Sequence, residues 1–126
     1  MVVQIISPYA GTQQERDCNS AVAKVLMQMA VSEGHTPIAT HVMLHGVMDD
    51  GNPVHRAEAM RLSENMLRNV ADEIWIYKGP YGITKGMQQE MVAWMMSGHT
   101  TGRTVTAEEL QQWIGAELIR EREATK

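Results

Sequence analysis

The sequence predicts an α/β domain: a parallel sheet with helices packed on both faces. Two observations carry that expectation. Short β-branched apolar runs closed by turn residues alternate with longer stretches whose apolar residues recur at helical spacing. Strands separated by whole helices pair in parallel and are joined by right-handed crossovers. The 126 residues, 44% hydrophobic and 21% charged, suit one domain spanning residues 1–126 with a single sheet. Four or five strands are expected, in the order 2-1-3-4.

Val2 to Ile6 is the first strand, and Ser7-Pro8-Tyr9-Ala10-Gly11 is the loop at its carboxyl end. Ala21, Val22, Val25, Leu26, Met29 and Ala30 then follow helical spacing until Gly34. Thr36 to Thr40 is a second short strand, followed by a loop from His41 to Gly51. Asn52-Pro53 combines a capping side chain with proline at the first helical position, ahead of Ala57, Met60, Leu62, Met66, Leu67 and Val70. Glu73 to Tyr77 is the third strand, and a helix runs from about Lys85 to Ser97. Arg103 to Val105 makes a fourth strand. Thr106-Ala107-Glu108-Glu109 has capping-box form before a last amphipathic helix, which ends in a charged tail from Arg120 to Lys126.

Composition excludes several function classes. A formal charge of -4 offers no basic stripe for a nucleic acid polymer, and no apolar run approaches the length of a membrane span. Met1 to Ser7 lacks the charged start and small-residue cleavage site of a signal peptide, so a cytoplasmic protein is expected. The single cysteine, Cys18, rules out an internal disulfide and reads as a small buried hydrophobe at a helix start. Met87, Met91 and Met95 recur at i, i+4 and i+8, a stripe for the core or a subunit interface. Three tryptophans, Trp75, Trp94 and Trp113, add apolar surface that one small sheet does not obviously cover, so a homo-oligomer, most simply a dimer, is expected.

The order and spacing of Ser7-Pro8-Tyr9-Ala10-Gly11, Asn19, Pro37-Ile38-Ala39-Thr40-His41, Asp49-Asp50 with Pro53 and Arg56, Asp72-Glu73-Ile74-Trp75, and Gly86-Met87-Gln88-Gln89-Glu90 resemble a known group. It is the small phage and bacterial proteins placed with the nucleoside 2-deoxyribosyltransferase-like superfamily. The likeness runs from Val3 to about Ala93. It implies a flavodoxin-like, Rossmann-like three-layer fold, homo-oligomers, and a site that binds a nucleotide or handles an N-glycosidic bond. Glu90 matches the superfamily's nucleophile, and Tyr9 matches a tyrosine at the sugar site. Thr84 stands where the transferases have aspartate, a feature similar to the nucleotide-hydrolysing branch. No asparagine follows Asn69 to match the one that transferases supply across their subunit interface.

Breaking an N-glycosidic bond passes through an oxocarbenium-like state, which calls for a carboxylate at the anomeric carbon. Glu90 is the candidate. Helical side chains lean toward the N-terminus, so its carboxylate is expected to project over Gly86 toward the preceding loop, with the helix start favouring the ionised form. The turn Gly79-Pro80-Tyr81-Gly82 brings backbone amides beside that helix start, which suits a phosphate or ribose. The candidate ligand contacts are Ser7, Tyr9, Ala10, Gly11, His41, Arg56, Tyr81, Gly82, Thr84, Gly86 and Met87. Tyr9 could stack on a sugar or base, or hydrogen-bond to Glu90. Arg56 could meet a phosphate or form a surface ion pair. Loops that follow the carboxyl ends of strands gather at one edge of such a sheet, so Tyr9, His41, Tyr81 and Gly86 are expected to line one pocket with Glu90. Asp72 begins its strand at the opposite end and reads as a cap.

His41, His45, Asp49, Asp50 and His55 invite a metal, but Pro37 and Gly46 argue against the helix that would align His41 with His45. Neither a metal nor a cofactor is expected. The dinucleotide fingerprint is missing from the first loop, which argues against a nicotinamide enzyme. Two functions remain: cleavage or exchange of a glycosidic bond through Glu90, or capture of a nucleotide or an ADP-ribose-like signal without turnover.

Overall fold

A computed structural model describes residues 1–49 and 51–124. Asp50, Thr125 and Lys126 lie outside the described residues, and with them Asp50's share of the histidine-rich loop and the very end of the charged tail. The chain runs β1 (Val2–Ile6), α1 (Gln13–Ser32), β2 (Thr36–Ile38), α2 (Thr40–Leu44), α3 (Pro53–Asn69), β3 (Glu73–Lys78), α4 (Lys85–Met96), β4 (Arg103–Thr106) and α5 (Ala107–Ala124). The sheet is four-stranded and all parallel, in the order β2-β1-β3-β4. Architecture and strand order are those expected from the sequence.

Alternation along β1 divides the core in two. Val3 and Ile5 pack with Leu26, Met29 and Ala30 of α1, Trp75 and Tyr77 of β3, Val105 of β4 and Leu110 of α5. Ile6 points the other way, to Leu67 of α3, Ile74 of β3, and Met87 and Trp94 of α4. One layer is therefore α1 and α5, the other α3 and α4. Gln4 shares the second face with Ile6, fully buried at the centre of the strand. Asp72 ties the amino-terminal edge of the sheet, accepting from the Val2 amide at 2.7 Å.

Four expectations are corrected. The first helix starts well before its apolar residues, at a capping box in which Thr12 accepts from the Glu15 amide and the Glu15 carboxylate accepts from the Thr12 amide. Cys18 therefore lies in its second turn and is exposed, not a buried hydrophobe. The loop after β2 begins with a five-residue helix, α2, whose N-cap Ala39 makes no side-chain hydrogen bond. Pro37 does not prevent it, because that proline belongs to β2 at the sheet edge, where a missing donor is tolerated. The inward stripe of α4 is Met87, Met91 and Trp94; Met95 is 67% exposed. Trp75 and Trp94 are buried within the single chain, so they no longer argue for an oligomer.

Candidate functional site

The loop after β1 places one polar cluster at the carboxyl edge of the sheet. Ser7 is buried where β1 ends, and its Oγ shares a 3.1 Å hydrogen bond with Nε2 of His41, in the first turn of α2. The Tyr9 ring lies against His41, with centroids 5.3 Å apart, and edge-on to His45 at 5.9 Å. Tyr9 Oη and His45 Nδ1 are 2.9 Å apart, and His45 Nε2 reaches Asp17 Oδ1 of α1 at 3.1 Å. In the tautomer with its proton on Nε2, His45 donates to Asp17, and Nδ1 accepts from the tyrosine hydroxyl. The Asn19 amide donates to the Tyr9 carbonyl at 3.2 Å and fixes the loop to α1. Burial, reinforced by the neighbouring His45, pushes the His41 imidazole down to about 4, so it is neutral near pH 7.

Tyr9 and His45 border a cavity of about 330 Å³, completed by Gln13, Arg16, Gly46, Val47, Met48, Asp49 and His55. Arg16 donates to the Gly11 carbonyl and to Gln13 Oε1, both neutral acceptors, and makes no ion pair among the described residues. His55 Nδ1 accepts from the Asp49 amide at 2.9 Å. This donor set suits a small anion or a ribose better than a metal, and no group of three metal-ligating side chains occurs among the described residues.

Glu90 forms a second cluster. It sits on the inward stripe of α4 between Met87 and Trp94, so its carboxylate turns toward α3 and β1 and not toward the loop. Ser63 Oγ of α3 donates to Glu90 Oε2 at 2.7 Å, and Gln4 Nε2 of β1 donates to Ser63 Oγ at 3.0 Å. Burial dominates the protonation of this carboxyl and pushes it up to about 7, against the hydrogen bonds from Ser63 and Gln4 and with the help of nearby Glu64. The expectation that the helix start keeps Glu90 ionised is thus overturned, because desolvation is the larger effect.

The remaining candidates scatter around these clusters. Thr84 is the N-cap of α4 and accepts from the Met87 amide at 3.3 Å, so its hydroxyl is engaged in the helix start. Met87 is 1% exposed and belongs to the core, so its side chain is no ligand contact. Gly82 adopts φ +67 in a turn closed by its amide on the Gly79 carbonyl, and a Cβ on Gly79 would lie 2.5 Å from the Tyr77 ring. The glycines of that turn are explained by shape. Tyr81 is 76% exposed, and a Cβ on Gly86 would meet nothing within 4 Å, so both face open space. Ala10, Gly11 and Arg56 are exposed, Arg56 in the first turn of α3.

The structure therefore unites Ser7, Tyr9 and His41, adds His45 and Asp17, and gives Glu90 separate partners. Tyr9 lines the cavity of about 330 Å³, and Glu90 does not. A groove of about 940 Å³ over α3 and α4 is lined by residues that include Glu64, Arg68, Lys85, Val92 and Met96, and by neither Tyr9 nor Glu90. Sequence reasoning also missed Gln4, Asp17 and Ser63. A polar residue inside an apolar strand, Gln4, was the one legible sign.

Residues 1–102 match the family described as a domain of unknown function, DUF7768. The chain belongs to that family. The DUF7768 match contains every residue of both clusters and stops before β4 and α5. No curated protein matches the chain.

Proposed function

We propose that the protein acts on a nucleoside or nucleoside monophosphate, cleaving or exchanging its N-glycosidic bond with Glu90 as the reacting carboxylate. The observation that carries this reading is the setting of Glu90: a carboxyl on the helix after β3, held by a hydroxyl and an amide, with no cation paired to it among the described residues. A structural glutamate is normally solvated or ion-paired, whereas one tuned to the working pH is typical of reactive sites. The two clusters also fit one ligand in scale. Gln4 of β1 and Ser7, which follows the strand's last residue, are three residues apart, about 10 Å at an ordinary strand rise, a span comparable to a nucleoside. Tyr9 would then stack on the sugar or base, and the Gly79–Gly82 turn would supply amides. The resemblance to the deoxyribosyltransferase-like proteins points the same way.

One observation favours a second reading. The cavity beside Tyr9, Arg16 and His45 does not include Glu90, so a nucleotide or ADP-ribose-like ligand seated there alone would be held and not cleaved. The reading also includes a cytoplasmic homo-oligomer, since Val92, Met95 and Met96 leave an apolar strip exposed on α4; no helix is long and apolar enough to cross a membrane among the described residues. Incubating the protein with a panel of nucleosides and nucleoside monophosphates, while following free base and bound ligand together, separates the two readings. Release of base supports the enzyme. Saturable binding without base supports capture, and neither outcome with any panel member would sink both.

A further inference from the structure

Gln4 is the least expected side chain in the core. It is completely buried, its backbone lies in the ladder between Ile38 and Ile74, and its strand neighbours are Val3, Ile5 and Ile6. An apolar residue of similar volume would fill the space without desolvating an amide. Gln4 Nε2 donates to Ser63 Oγ at 3.0 Å and more weakly to the Ser63 carbonyl at 3.4 Å, while its Oε1 has no hydrogen-bond partner among the described residues. Ser63, also buried, donates its hydroxyl to Glu90 Oε2 at 2.7 Å. Three elements, β1, α3 and α4, thus contribute one side chain each to a chain that ends on a single carboxyl oxygen.

We propose that Gln4 and Ser63 are positioning residues for Glu90, a hydroxyl and amide chain that holds the carboxyl in one place whether it is ionised or protonated. With Glu90 ionised, the hydrogen bonds run from the Gln4 amide to the Ser63 hydroxyl to the carboxylate. With Glu90 protonated they reverse: the carboxylic acid donates to Ser63 Oγ, and the Ser63 hydroxyl donates to Gln4 Oε1, which a half-turn of the amide brings to the place of Nε2. The amide ends are nearly identical in shape, so the half-turn needs no repacking. The two arrangements differ in composition by one proton, carried on Glu90. A serine or glutamine can serve both directions because each is donor and acceptor; a lysine or arginine could serve only the ionised one.

The inference rests on Glu90 being the reacting group. Its surroundings are otherwise quiet: α3 contributes Glu64, itself paired with Arg68 at 3.3 Å, whereas β1 offers Gln4 and Ile6 and β3 offers Ile74 and Ile76, all uncharged. The test is a titration of the Glu90 carboxyl by carbon-13 NMR in the full chain. Ser63→Ala removes the partner of both forms, but the charge-assisted bond to the carboxylate is the stronger of the two, so the midpoint should rise by about one pH unit. Gln4→Met keeps the volume and should shift it in the same direction by less. Ser63→Thr keeps the hydroxyl and should restore the wild-type midpoint. If turnover is found, the acid limb of its pH profile should move with the midpoint while KM changes little. Unchanged midpoints in both Ser63→Ala and Gln4→Met would overturn the proposal, as would a midpoint that moves without the acid limb. Shifted midpoints in a protein that releases no base from any nucleoside would leave the chain standing as a structural device and remove the glycosidic reading instead.

Discussion

The Glu90 cluster and the Tyr9 cluster are both polar and both lean on β1, yet they are built in opposite ways. Gln4, Ser63 and Glu90 come from the middles of a strand and two helices; Gln4 and Ser63 are buried and Glu90 is half-buried. Tyr9, His41 and His45 come from a loop and a five-residue helix at the sheet edge, and Asp17 from the outer side of α1. Burial drives both protonation changes, and it acts in opposite senses. It keeps a proton on the acid, raising Glu90 to about 7, and keeps a proton off the base, lowering His41 to about 4. The lesson is that one physical cause prepares a carboxyl that can lose a proton near neutrality and an imidazole that cannot gain one. Rigid elements suit the role proposed for Glu90, and a loop suits ligand entry.

The largest expected effect comes from Glu90. Glu90→Gln should lower any glycosidic turnover by at least about a thousandfold while leaving the fold intact, because the amide fills the same volume without a charge to desolvate. Glu90→Ala is the poorer choice, since the side chain fills space between α3, α4 and β1. Turnover that survives Glu90→Gln would end its role as nucleophile and make the Tyr9 cluster the only site.

Next is the effect of pH on stability, where the clusters should oppose one another. A carboxyl raised from 4.5 to about 7 in the folded state binds its proton there more tightly than in the unfolded chain, so its contribution falls as pH rises from about 4.5 to about 7. An imidazole lowered from 6.5 to about 4 does the reverse: the unfolded chain takes up the proton first, so stability falls as pH drops from about 6.5 to about 4. Each amounts to at most about 3 kcal/mol, and over the shared window they largely cancel. Wild type should therefore show a shallow profile in denaturant melts. Glu90→Gln should unmask a loss toward acid, and His41→Gln a loss toward neutral pH. Parallel profiles in the two variants would mean that the clusters are not opposed.

Smaller still is the Tyr9 relay. Tyr9→Phe keeps the ring and removes the hydroxyl that His45 holds, so ligand affinity should fall by about tenfold, with a fold stability within about 1 kcal/mol of wild type. Asp17→Asn should have part of that effect by loosening His45. Calorimetric titration with a bound nucleotide would check both, and an affinity unchanged in Tyr9→Phe would confine the ligand to the Glu90 side.

The two clusters also differ in how far the sequence revealed them. Alternation of strand and helix was enough for the sheet order, because crossovers in a chain this short leave few ways to pair four strands. Asn52-Pro53 marked its helix correctly, and Asp72 proved to be the tie at the far edge. α2 was illegible because it starts at Ala39 without a capping side chain and follows a proline that the edge strand tolerates. The site was harder. Spacing places Glu90 on α4, and Met87 and Trp94, which share its face, turn it toward the core, a constraint that outweighs the lean of helical side chains toward the loop. The partnership of Gln4 with Ser63 joins residues 59 apart, and no local pattern announces a pair of that separation.

The smallest expected effect concerns the outer surface of α4, away from both clusters. Val92, Met95 and Met96 are 56%, 67% and 83% exposed on a helix whose inner face already holds Trp94 and Met87 in the core. If copies of the chain associate there, burying these three side chains removes apolar area from water while Glu64, Arg68 and Lys85 along the groove supply both signs of charge at the rim. Met96→Glu should then convert an oligomer at micromolar concentration into a monomer by light scattering, with little change in the Glu90 titration. A wild-type monomer under those conditions would remove the oligomer from the reading, and the strip would be an apolar patch of the size that single chains commonly expose.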